Sequence, residues 1–113
     1  MATEHPSIPS VAPVMAVSVH EGRPAELVLA GEVGAETLRE LEELLDAPPL
    51  REAAEWLVDM SGVTRFDLAC AYALLRAAAV RPEPATLTIR GARRTVQRTL
   101  RHSGLDTVAA IEE

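Results

Sequence analysis

With 113 residues, 48% of them hydrophobic and 25% charged, the chain has the length and balance of one compact domain rather than a disordered segment. Only Trp56, Phe66 and Tyr72 are aromatic and the net charge is −6, so there is neither a row of rings to stack bases nor a charge surplus to hold phosphates. Nucleic acid is not an expected partner. All 11 basic residues are Arg, Cys70 stands alone, and no His/Cys cluster has metal-ligand spacing, which argues against lysine chemistry, an internal disulfide, a bound metal or a cofactor.

Residues 1–13 hold three prolines and small polar residues and read as a flexible lead-in, with residues 14–113 as the single domain. The first ten, MATEHPSIPS, lack the basic and apolar regions of a secretory leader, and no run of about 20 apolar residues follows. The expected location is therefore cytoplasmic, without a membrane span.

From Val14 to Val19 the chain is β-prone, and His20–Pro24 punctuates it as a turn. Leu27–Ala30 reads as a second strand, paired with the first as a hairpin, and Gly31-Glu32-Val33-Gly34 as a tight loop. Leu38, Leu41 and Leu45 then recur at helical spacing, with Glu36, Arg39, Glu40, Glu42 and Glu43 on the other side. Pro48-Pro49 stops that helix for want of amide donors. Trp56–Met60 predicts a buried central strand, and Ser61–Phe66 another loop.

Asp67 is placed to cap a helix running from Leu68 to Val80, whose only charge is Arg76. Leu68, Ala71, Tyr72, Leu75 and Ala79 share one side at 3.6-residue spacing and are expected to pack on the sheet. Ala69, Cys70, Ala73, Arg76, Ala77 and Val80 make the opposite side. So few charges there point to a partner or self-association surface, a homodimer included. Arg81–Pro84 breaks the helix, Thr86–Ile89 reads as a strand, and Ala92, Val96 and Leu100 mark a last helix stopped near Ser103-Gly104. Val108–Ile111 reads as a short strand or a helical turn. The order ββαβαβα predicts an α/β fold: a small mixed, mostly parallel sheet with one antiparallel edge and covering helices.

The stretch Trp56–Leu75, WLVDMSGVTRFDLACAYALL, resembles the signature of the STAS domain, the fold of bacterial anti-sigma factor antagonists. Asp59-Met60-Ser61-Gly62-Val63 matches the family's strand end, and Phe66-Asp67 its helix opening. Leu27–Leu45 is similar to the family's strand, Gly-Glu loop and first helix, and Val96–Asp106 to its last helix ending in Gly-Leu-Asp. The resemblance spans about residues 14 to 112.

It implies a non-enzymatic protein-binding module in signalling and transcription regulation. The implied partner is an anti-sigma factor of the histidine-kinase-like ATPase type, or another assembly that contains STAS domains. In phosphorylated members the helix opens Asp-Ser-Ser-Gly-Leu and the second serine accepts phosphate. This chain has Asp67-Leu68-Ala69-Cys70-Ala71, so Ala69 occupies the acceptor position without a hydroxyl, and Gly34 stands where the family's loop carries an acidic residue. The fold is implied by the resemblance; the serine phospho-switch is not.

The surface implied for partner binding comprises Glu32, Gly34, Asp67, Leu68, Ala69, Cys70, Ala73, Arg76 and Ala77. Ser61 and Thr64 are candidate substitute phosphosites, against the plainer reading of turn hydroxyls bonded to backbone. Cys70, in the first turn of its helix, is a candidate reactive thiol, against the plainer reading of a small buried hydrophobe. Arg94, Arg98 and Arg101 form a basic stripe, read as a solvated face that an acidic protein surface can meet. Two other functions stay open: a nucleotide or small-ligand sensor, and a structural or transport-associated STAS subunit.

Overall fold

Alternation along the strands decides where the core lies. In the computed structural model, which describes residues 13–112, Leu27 and Leu29 in β2 (Ala25–Val33) point to one side of the sheet and are buried. Trp56, Val58 and Met60 in β3 (Glu55–Phe66) and Leu87 and Ile89 in β4 (Thr86–Arg90) join them on that side. The intervening Val28, Leu57, Asp59 and Thr88 occupy the other side and are only half-buried. Met15 and Val17 of β1 (Val14–Ser18) and Ala109 and Ile111 of β5 (Ala109–Glu112) extend the core to both edges.

Spatial order equals chain order, β1-β2-β3-β4-β5, with β1 antiparallel to β2 and every later pair parallel. Each parallel step needs a crossover, and right-handed crossovers that always advance in one direction deposit their helices on one face. The crossovers are α1 (Leu38–Asp46) with the short α2 (Pro48–Arg51), then α3 (Leu68–Ala79), then α4 (Arg94–Ser103). α3 packs between α1 and α4. The mixed α/β class read from the sequence is the class observed, and the tail at Val108–Ile111 resolves into β5, a fifth strand beyond the ββαβαβα order.

Three local expectations need correction. Gly31–Val33 belongs to β2, and Ser61–Phe66 belongs to β3, although both segments read as loops. They pair with each other: Ala30 opposes Gly62, Gly31 opposes Val63, and Val33 opposes Phe66. Two register shifts let β3 run ahead of β2, and such bulges admit the glycines and polar residues that looked like turn signals. Gly62 is required by proximity, because a Cβ there would lie 2.9 Å from the Ala30 Cβ. Pro48-Pro49 does end α1, but the same two residues also open α2, where a missing amide costs nothing. The lead-in read for residues 1–13 lies almost entirely outside the described residues.

The third correction concerns α3. Cys70, Ala71, Ala73, Leu74 and Ala78 are the residues buried against the sheet and neighbouring helices, while Leu68 and Tyr72 are 41% and 40% exposed. The helix is turned by about a third of a turn, roughly 120° at 3.6 residues per turn, from the expected setting. A helix with the single charge of Arg76 has little polar side to choose its rotation, so close packing decides, and small side chains let α3 sit tightly in the middle of the layer.

Candidate functional site

The C-terminal ends of parallel strands gather the loops of an α/β sheet, and here β2 and β3 both end beside the start of α3. The Asp67 amide donates to the Val33 carbonyl at 3.0 Å, so strand end and helix start are joined directly. Asp67 takes the extended backbone of a cap residue, and the Cys70 and Ala71 amides donate to its carbonyl. Its carboxylate does not cap α3, as the sequence led one to expect. It reaches across instead: Oδ2 accepts from the Ala35 amide at 2.8 Å and Oδ1 from Arg65 Nε at 3.1 Å.

A second tie lies beneath. The Gly34 carbonyl accepts from the Thr37 amide (3.0 Å), the Thr37 hydroxyl (2.9 Å) and the Cys70 thiol (3.5 Å). The turn after β2 and the first turn of α3 therefore form one cross-linked unit. Cys70 is fully buried in it, and burial, reinforced by the negative charge of Asp67, pushes its thiol up to about 11. The dipole of the helix start does not prevail over desolvation, which leaves no reactive thiolate near neutral pH.

What this unit presents outward is a patch of Leu68, Ala69, Tyr72 and Arg76 on α3, all exposed, while the exposed Glu32 and Arg65 oppose each other at the ends of β2 and β3. A cleft of about 300 Å³ flanks it, lined by Thr64, Asp67 and Leu68 on one side and Thr95 and Thr99 of α4 on the other. Of the residues expected to bind a partner, Leu68, Ala69 and Arg76 lie in the patch, Asp67 is partly exposed at its edge, and Glu32 is exposed at the end of β2, pointing away from the helix-covered side of the sheet. Gly34 and Cys70 are beneath it and have no side-chain surface to offer. Ala73 is buried and Ala77 half-buried, both at the floor of a separate groove of about 750 Å³ between α1 and α3, with Glu42, Arg76 and Val80 at its margins. Tyr72 and Arg65 were missed. Nothing in the spacing of α3 marks Tyr72 as outward, but Arg65 next to Asp67 was a readable pair.

Elsewhere the hydroxyls and charges have local work. Ser61 donates its hydroxyl (2.7 Å) and its amide (2.9 Å) to Asp59 Oδ1. These two bonds, with the nearby Arg90 charge, hold the Asp59 carboxyl below its usual 3.8 despite partial burial. Thr64 is exposed on the cleft rim. Arg90 pairs with Glu112 at 3.3 Å, whereas Arg94, Arg98 and Arg101 have no carboxylate within 4.0 Å among the described residues. Among those residues, too, no three His, Cys, Asp or Glu side chains gather as a metal site, and no helix is long and apolar enough to cross a membrane.

The family model described as "Mlab, STAS domain" matches residues 17–112. Among solved structures, the crystal structure of an anti-sigma factor antagonist from Mycobacterium paratuberculosis is similar, with 18% identity and a TM-score of 0.75. The match covers 89% of this chain and 86% of that one, and at such identity it is a likeness of fold. No curated protein matches the chain.

Proposed function

The chain belongs to the STAS domain family, and from that membership we propose that it is a non-enzymatic binding module whose contact surface is the patch at the start of α3. The partner class is an anti-sigma factor of the histidine-kinase-like ATPase type, or a larger assembly containing STAS domains. The observation that carries this reading is the carboxylate of Asp67, which bonds Ala35 and Arg65 and so fixes the turn after β2 against the helix start. Leu68, Ala69 and Tyr72 are thereby displayed on a rigid base, and large exposed apolar side chains on a rigid surface favour protein contact.

Binding is constitutive in this reading. Ala69 is exposed at the position where the family's acceptor serine is implied, and a methyl group takes no phosphate. Titration against an anti-sigma factor of that class tests both points. ATP should leave the affinity of the native chain unchanged, Leu68→Glu should abolish binding, and Ala69→Ser should introduce ATP-dependent release. Stoichiometric phosphate on Ser61 or Thr64 of the native chain would show a relocated switch and refute the constitutive reading. The missing hydroxyl equally favours a second reading, a permanent structural subunit; stoichiometric recovery with a partner that is not such an ATPase would select it.

A further inference from the structure

We infer that the helical face of this domain is a self-complementary surface on which a second copy of the chain docks, related by a two-fold axis running along α3. The inference does not depend on the choice of partner above. α4 bears Arg94, Arg98 and Arg101 on the side opposite its buried Val96 and Leu100, and no Asp or Glu occurs anywhere between Gly91 and Leu105. α1, on the far side of α3, shows Glu40, Glu43 and Asp46 opposite its buried Leu41 and Leu45, with Arg39 among them, so this flank is acidic by a net two charges. Between them α3 exposes Leu68 and Tyr72, and its one charge, Arg76, is already matched by Glu42 at 3.7 Å. The face thus runs acidic, apolar, basic.

A foreign partner would have to bring the mirrored sequence of charges. A second copy brings it automatically. The three helices follow parallel strands and so run side by side in one direction, and a two-fold axis along the middle helix lays α1 of each copy on α4 of the other. Leu68 and Tyr72 meet their own counterparts at the axis. Opposite charges are paired twice, and the interface is closed, as isologous contacts are. Three helices roughly 10 Å apart, each about 14–18 Å long at 1.5 Å per residue, give a face of about 500 Å² in projection from each partner, at the lower end of specific interfaces. The contact would cover Leu68 and Tyr72, so a second copy and a protein partner compete for the same patch.

Sedimentation equilibrium of the whole chain, from low micromolar to several hundred micromolar, reads the association, and charge reversal tests its geometry. The native chain should form dimers that weaken as salt rises. Reversing α4 (Arg98→Glu with Arg101→Glu) or reversing α1 (Glu40→Arg with Glu43→Arg) should each leave folded monomers, as shown by circular dichroism. Mixing these two monomeric variants should restore a one-to-one dimer, because each then offers the other an acid-on-base contact at both flanks. A native chain that stays monomeric, or reversed variants that dimerise like it, overturns the inference. A mixture that stays monomeric while the native chain dimerises refutes this two-fold arrangement.

Discussion

Asp67 makes the most demanding prediction, because the residue type allows two different jobs. As a helix cap its loss would weaken α3 alone; as observed, its carboxylate braces the turn at Ala35. The bond from the Ala35 amide is charge-assisted but open to water, which places it at the lower end of such bonds, about 1.5 kcal/mol. The Arg65 pair adds little, at most about 0.5 kcal/mol, since the Arg65 side chain is 66% exposed. Asp67→Ala should therefore cost about 2 kcal/mol, or a fall in Tm of roughly 8 °C for a domain of this size. Ala35→Pro removes the donor at a position that opens a helical turn, where proline is otherwise tolerated. Urea denaturation of both single variants and the double variant closes the cycle. The double variant should be no less stable than the weaker single one, a coupling of about 1.5 kcal/mol. Strictly additive losses would mean that Asp67 and Ala35 do not interact and that the brace is wrong.

Two glycines with left-handed backbone separate strain from crowding. Gly22→Ala (φ +79°, nothing near its Cβ) should cost about 1 kcal/mol, whereas Gly91→Ala (φ +78°, Cβ 2.9 Å from Ser61 Cα) should cost about 3 kcal/mol by adding a backbone collision; equal losses in thermal melts would refute the close approach. Asp59 is held below its usual 3.8, so its contribution is complete above that value and drains away as pH falls from there through the lower folded value. Asp59→Asn should flatten that part of an acid titration of stability, and an unaltered profile would count against the Ser61 bonds. For Cys70 the sign is reversed: the unfolded chain loses its thiol proton near 9.0 and the folded one near 11, so stability should fall across that interval. Native protein at pH 8 should resist iodoacetamide until urea is added, and rapid native labelling would contradict the burial.

The order of elements was legible because alternation at Leu27–Leu29 and Trp56–Met60 and the spacing of Leu38, Leu41 and Leu45 are direct images of sheet and helix geometry. The two bulged strand ends were not, since Gly31 and Gly62 are signals for a turn and for a close strand approach alike; only pairing distinguishes them. For the site, the Asp67 position and the outward Ala69 were visible along the chain, whereas Leu68, expected to pack on the sheet, turns outward. The rotation of α3 was hidden, because a helix of Ala, Leu, Cys and Tyr leaves several apolar stripes equally available. The choice of Cys70, Leu74 and Ala78 as the inner stripe belongs to the packing of three helices together.

The coincidence of strand order and chain order carries a consequence for how the molecule is made. Each strand from β2 onward is laid beside the one that was synthesised just before it, and no strand waits for a neighbour encoded further downstream. On the ribosome, where chains emerge at about 5–20 residues per second, the hairpin of β1 and β2 can stand before β3 exists, and each later βα unit meets a finished edge. Pairings between neighbours in the chain also keep the loops to be closed short, which favours rapid folding. β1 remains one edge throughout, and at the opposite, growing edge the next segment to leave the ribosome is the one built to cover it.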